Sequence, residues 1–278
     1  MSTVLFIDAN IYLRFYDSKA HEMASLLETL EQSSEDIFIT MQIVNEVNRN
    51  KLMCAHVSFK NYYSDLLAFE KASIPAHFNI PSIDDWNEKI SQMDSLKNNQ
   101  AIIIKELLDK ISNSSDHVSL TLKTIFERAE TASSDELSLA RFRKETGNPP
   151  GKKQDPLGDQ ISWEQLLKKI KPSDNLILVT HDKDYLVKFQ GKCFLNPLLV
   201  ADLVKIKFSL SNLCCYEKLI DGLATYKKIQ KPTIYFPDAI DAKRISEIEQ
   251  TIINTTTTVC SATLPPLGTS GTIWPILK

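Results

Sequence analysis

A chain of 278 residues with 43% hydrophobic and 24% charged residues is composed like an ordinary folded protein, which excludes wholesale disorder. Its 32 Lys and Arg against 35 Asp and Glu leave a net charge of −3, which excludes a generally basic nucleic-acid coat but leaves room for a local basic patch. Only seven glycines are present, and neither G-x-G-x-x-G nor G-x-x-x-x-G-K-[ST] occurs, so no glycine loop cradles phosphates.

In chain order, residues 4–7 (Val-Leu-Phe-Ile) are an unbroken apolar run, as expected of a strand buried on both faces of a parallel sheet. A helix is predicted over about 19–32, a second strand over 37–40 and a helix over about 42–53. Residues 55–150 read as helical, broken at Pro75, Pro81 and Asn113–Ser115, and are taken as an insertion or cap on the sheet. Asp155-Pro156 pairs an N-cap residue with Pro at the first helical position and starts a helix that Pro172 stops. Strands at 176–180 and 192–195 follow, then a helix over about 198–208. Residues 213–230 read as helix, 233–236 as strand and about 238–254 as a polar helix. The last two dozen residues resemble no packed element and read as a flexible tail. Strands alternating with helices predict an α/β fold with a mostly parallel sheet. The expected division is a core over 1–212 and a C-terminal extension over 213–278.

Five cysteines without C-x-x-C and five scattered histidines argue against a disulfide framework or a zinc site. They predict a reducing, cytoplasmic setting. No apolar run approaches the roughly 18 residues of a membrane span, and the first residues lack the basic stretch of a signal peptide.

The chemistry lies in carboxylates. Ligands of open parallel sheets bind beyond the carboxyl ends of the strands, where Asp8 follows 4–7 and Asp182 follows 176–180. Either alone is as readily a turn or cap residue. Glu46 lies at the margin of the Ile43, Val47 and Cys54 stripe, where a surface glutamate is the plainer reading. Asp159 falls among Trp163, Leu166 and Ile170 on an apolar face, and an unpaired carboxylate there costs several kcal/mol. Asp155, one turn earlier, points to the same side and also reads as the cap. Asn10 and Thr180 are supporting candidates, and Asp184 reads as the cap of a helix starting near Tyr185. If the acids converge, an all-oxygen site without His or Cys suits Mg²⁺ or Mn²⁺. Basic residues gather just before the acidic loop, at Arg141, Arg143, Lys144, Lys152 and Lys153. Of these, Arg143, Lys152 and Lys153 are candidates for holding a phosphate backbone. Lys168, Lys169 and Lys171 are explained by a helix C-terminus.

Assembled, these residues resemble the PIN-domain nucleases. The likeness rests on Asp8 in Phe-Ile-Asp-Ala-Asn, Glu46 in Val-Asn-Glu-Val, Asp159 in Gly-Asp-Gln-Ile-Ser-Trp-Glu and Asp182 in Thr-His-Asp-Lys-Asp-Tyr. The stretch Pro-Pro-Gly-Lys-Lys-x-Asp-x-x-Gly-Asp-x-Ile-x-Trp further resembles a bacterial PIN-like subfamily with a long helical insertion, in which Asp155 is an additional site acid. The resemblance covers about residues 1–210. It implies a parallel sheet with helices on both faces, a divalent-metal site and phosphodiesterase activity on single strands, usually RNA.

The expectation is a Mg²⁺- or Mn²⁺-dependent endoribonuclease acting in RNA decay, toxin-like growth arrest or phage defence. Asp8, Glu46, Asp159 and Asp182 would hold the cation, with Asp155 assisting. Two alternatives stand beside it, a structure-specific DNA nuclease and a PIN fold kept as an inactive binding or scaffold module. A homo-oligomer and an antitoxin or defence-system partner are left open, and no membrane partner is expected.

Overall fold

The apolar run at the N-terminus becomes β1 (Thr3–Ile7), and all five of its residues are buried. In the computed structural model, which describes residues 2–17, 23–67, 83–151, 157–230 and 233–259, β1 is a central strand. It pairs in parallel with β2 (Ile37–Phe38) on one side and β3 (Asn175–Val179) on the other. β3 pairs in parallel with β6 (Leu213–Tyr216), so the sheet order is β2-β1-β3-β6. Four parallel strands present their carboxyl ends at one edge. The mixed α/β fold, a central parallel sheet flanked by helices, agrees with the expectation.

Two short helices follow β1, α1 (Ala9–Tyr12) and α2 (Arg14–Asp17), and then α3 (Met23–Gln32) leads to β2. After β2, α4 (Met41–Leu67) runs 27 residues without a break, about 40 Å at 1.5 Å per residue. It packs against α1, α2, α8 (Gly158–Lys169) and α5 (Ile83–Ser112). The expected insertion over 55–150 is therefore not one appendage, because it begins inside a helix rooted in the core. Its later helices also return to the core. α6 (His117–Phe126) packs on α3 with Leu122 and Ile125 fully buried, and α7 (Ser134–Glu145) packs on α8.

Four other expectations are corrected. Lys192–Leu195 is a strand, β5, but it pairs antiparallel with β4 (Leu186–Phe189) in a separate hairpin. Asp184 therefore precedes a strand and caps no helix. Residues 213–216, read as helix, form the edge strand β6, so the boundary expected at 212/213 cuts off part of the sheet. Residues 233–236 find no strand partner and are not a strand.

After β5 comes α9 (Pro197–Lys205), capped by Asn196. α10 (Leu219–Ile229) lies across β1, β3 and β6. Its approach needs Gly222, since a Cβ there would fall 2.6 Å from Val179 Cγ2. α11 (Ala239–Val259) packs on α10 and carries helix through 255–259, where an unstructured tail was expected. The rest of that expected tail, 260–278, lies outside the described residues. Glu249 of α11 is fully buried and accepts from the backbone N–H groups of Leu219 (2.8 Å) and Ile220 (3.1 Å). It thereby satisfies free donors at the start of α10, whose own N-cap residue, Lys218, makes no side-chain capping bond. Its Oε1 also lies 3.6 Å from buried Arg14.

Candidate active site

The end of β1 places Asp8 at the sheet edge, only 7% exposed, where its side chain caps α1. Oδ1 accepts from the Ala9 N–H at 2.7 Å, and Oδ2 accepts from Asn10 Nδ2 and Thr180 Oγ1, each at 2.6 Å. Thr180, fully buried just past β3, also accepts the Asp182 N–H at 3.0 Å. The expected supporting pair, Asn10 and Thr180, thus clasps Asp8. Burial pushes the Asp8 carboxyl up to about 7, against the Thr180 hydrogen bond, and the negative charges of Glu46 and Asp182 push in the same direction.

The remaining acids arrive on helices and a turn. Glu46 sits half-buried in the second turn of α4. Thr40 Oγ1 at the end of β2 shares a 2.8 Å hydrogen bond with Ser162 Oγ of α8. That bond ties the helix bearing Asp159, in its first turn, to the sheet edge. Asp182 Oδ1 accepts the Asp184 N–H at 2.9 Å and so shapes its own turn.

Tyr185, three residues after Asp182, is buried. Its ring meets Trp163 edge-on at 6.0 Å and Phe6 at 6.3 Å, and its hydroxyl donates to the Asp159 carbonyl at 3.4 Å. Burial holds the phenol far above its ordinary value, and the charges of Asp159, Asp8, Asp182 and Glu46 add to that. Tyr185 was missed from sequence, although Thr-His-Asp-Lys-Asp-Tyr carries it three residues after Asp182.

His181 lies between Thr180 and Asp182. Burial, then the cations Arg14 and Lys188, push it down to about 2, and both ring nitrogens are buried without a hydrogen-bond partner.

Arg143 is a correction. Its guanidinium binds Glu164 (Nε at 2.7 Å, Nη2 at 2.6 Å), Asp202 (2.8 Å) and the Pro149 carbonyl (2.8 Å), and the residue is 8% exposed. Those bonds lock α7 to α8 and leave it unsuited to a phosphate backbone. Lys152, Lys153 and Asp155 lie outside the described residues.

The donors near Asp8 are all oxygens, and Asn10 Oδ1 is buried without a hydrogen-bond partner. Oxygen donors of this kind suit a hard divalent cation, and the structure brings Asp8 and Asn10 together at the sheet edge. Among the described residues no three His, Cys, Asp or Glu side chains are drawn together closely enough to hold a metal ion.

Compared with known families, residues 4–185 match the family described as PIN like domain, well over half of the chain. The chain belongs to this PIN-like family. No curated protein and no solved structure matches it. PIN domains are generally nucleases that use divalent metals and act on nucleic acids, so this PIN-like chain has a nuclease-type fold. The matched span holds Asp8, Glu46, Asp159 and Asp182 and stops at Tyr185, before β4, β5 and β6. Among the described residues no helix is long and apolar enough to cross a membrane.

Proposed function

We propose that this PIN-like protein is a Mg²⁺- or Mn²⁺-dependent endoribonuclease acting on single-stranded RNA. What supports the reading is that Thr180, at the sheet edge, binds both the Asp8 carboxylate and the Asp182 N–H in a chain whose residues 4–185 match the PIN-like family. A cluster of negative charge at a parallel-sheet edge is costly unless a cation or protons offset it.

In this reading Asp8, Glu46, Asp159 and Asp182 hold the cation, and Asp155 assists. When bound, the divalent cation polarises the phosphoryl oxygens and lowers the pKa of the attacking water. Asp8 serves as an ionised ligand, its carboxylate aimed by Asn10 and Thr180 and its charge supported by the Thr180 and Ala9 donors. Tyr185 remains protonated and keeps Asp159 seated through its backbone carbonyl. The water oxygen bonds phosphorus, the P–O3′ bond breaks, and the proton balance leaves a 5′-phosphate and a 3′-hydroxyl. Lys152 and Lys153 would attract the phosphate backbone by their charge.

Cleavage of single-stranded RNA, single-stranded DNA and a DNA flap at equal Mn²⁺ concentration tests the assignment. RNA is expected to be cut fastest, and preference for the flap would overturn the RNA reading. Asp159→Asn should abolish cleavage while keeping the fold. If Mn²⁺ leaves the Tm unmoved and no strand is cut, the protein is a binding module, because a bound metal stabilises by mass action.

A further inference from the structure

The β4–β5 hairpin stands outside the central sheet and immediately follows the Asp182–Tyr185 turn. Its register sets Leu186 opposite Leu195, Val187 opposite Phe194, Lys188 opposite Cys193 and Phe189 opposite Lys192. Successive strand residues face opposite sides, so Leu186, Leu195, Lys188 and Cys193 share one face. That face is the anchored one. Leu186 and Leu195 are buried, and Lys188 pairs with Glu217 at 2.9 Å.

The other face carries Val187, Phe189, Phe194 and Lys192. Val187 is 63% exposed, Phe189 65% and Phe194 47%, so two phenyl rings stand in water at diagonal positions on one face of the ribbon. Lys192 Nζ sits 5.2 Å from the centre of the Phe194 ring. The turn between the strands, Gln190-Gly191, has positive φ at both residues (48° and 80°), the tight connection that matches the twist of a hairpin. The root is fixed as well. The Asn196 N–H donates to the Tyr185 carbonyl at 2.8 Å, and Asn196 Nδ2 to the Asp184 carbonyl at 3.3 Å.

We propose that this exposed face is a stacking platform for unpaired bases of a single-stranded nucleic acid, with Phe189 and Phe194 under successive bases and Lys192 on the backbone phosphate. Charge favours that occupant. Lys192 is the charged residue of this face and has no acid beside it on the ribbon, whereas Lys188 on the other face is neutralised by Glu217. Aromatic rings beside a cation are how sequence-tolerant binders of single strands work, because every base has a π-face. Bases stacked inside a duplex cannot lie on such a face. Position favours it too, since the hairpin root is hydrogen-bonded to the turn that carries Asp182, and Phe189 lies about 10 Å along the ribbon from Leu186. The inference rests on the nuclease reading and deepens it: the platform would hold nucleotides next to the bond being cut.

The full chain in EDTA, titrated against 5′-fluorescein-labelled 12-mers of oligouridylate and oligodeoxythymidylate, gives the binding constant by anisotropy without cleavage. Phe189→Ala and Phe194→Ala should each raise Kd on the order of tenfold for both strands, and Phe194→Trp should keep binding near the parent. Lys192→Ala should lower the slope of log K against log salt by about one. In Mn²⁺ the loss from Phe189→Ala should fall on KM rather than kcat. Should Phe194→Ala lower the Tm, Phe189→Ala at the more exposed position decides alone.

An unchanged Kd in the alanine variants, or no binding of either 12-mer by the parent, overturns the platform. So does a parent dimer in sedimentation that Phe189→Ala breaks, since a second copy would then cover this face. The two readings fail separately. Strands held through the phenylalanines but never cut refute the nuclease and keep the platform, whereas cutting at the parental KM by the alanine variants does the reverse.

Discussion

Thr180 Oγ1 donates to Asp8 Oδ2 at 2.6 Å, joining the ends of two adjacent parallel strands across 172 residues of chain. Thr180 is fully buried and also receives the Asp182 N–H, so one hydroxyl sets the positions of two of the acids. Its bond to Asp8 is the largest influence favouring that carboxylate against the burial that pushes it up to about 7.

Thr180→Val keeps the shape of the side chain and removes this donor. Hydrogen bonds to charged groups contribute about 1.5–3 kcal/mol. In metal-free buffer the Asp8 carboxyl should therefore titrate higher still than in the parent. A carbon-detected NMR titration of the Asp carboxyls in EDTA, variant beside parent, measures this. An Asp8 carboxyl that titrates alike in both proteins would show that the Thr180 hydroxyl does not favour its ionised form.

Arg143→Met tests the structural place of that arginine. The substitution leaves Glu164 and Asp202 partly buried without their shared cation, and breaking such a network costs about 3–5 kcal/mol. Urea denaturation should show that loss, whereas KM of the folded enzyme for single-stranded RNA should stay near the parent. A raised KM with unchanged stability would return Arg143 to the substrate.

The reach of the sequence differs from element to element. Val4–Ile7 and Leu176–Val179 are legible because central parallel strands are apolar on both faces, and each ends on a polar residue at the site. Leu213–Tyr216 is only half-buried at the sheet edge, so no apolar run sets it apart from the helix that follows. Lys192–Leu195 is legible as a strand, but its exposed Lys192 and Phe194 mark a one-sided ribbon rather than a place in the main sheet. Arg143 was misread because clustering along the chain says nothing about helix faces. Glu136, Ala140 and Arg143 recur at four and three residues and form the buried side of α7, which leaves Arg141 outward. Asp8, Glu46, Asp159 and Asp182 are legible singly. The Thr40–Ser162 bond that seats the helix bearing Asp159 against the sheet edge is not, because it joins residues 122 positions apart whose pairing no local pattern marks.

Gly222→Ala probes the seat of α10. A methyl there meets Val179 Cγ2 at 2.6 Å, and Val179 is fully buried with little freedom to move. Overpacking of this kind costs about 1–3 kcal/mol, against about 1 kcal/mol gained in helix propensity. The expected net effect is a lower Tm in a thermal melt; a higher Tm would show that β3 yields easily to the helix.

Two groups at the site edge act on stability in opposite directions. Asp8 is raised to about 7 in the folded chain from 3.8. Its contribution is fully present below about 4 and is lost as pH rises through 7. His181 is lowered to about 2 from 6.5, so its contribution is present above about 6.5 and is lost as pH falls. Between about pH 4 and 6.5 the folded state therefore holds one extra proton on Asp8, and the unfolded state holds one extra on His181. Each slope is about 1.4 kcal/mol per pH unit, and the two cancel. In metal-free buffer this pair should add almost no slope over that window. Asp8→Asn should uncover a stability that falls with acid, and His181→Gln one that rises with acid. Urea midpoints at pH 4.5, 5.5 and 6.5 for the three proteins measure this. Parallel profiles in all three would place both groups at their ordinary pKa values and remove the burial on which the electrostatics of the site rest.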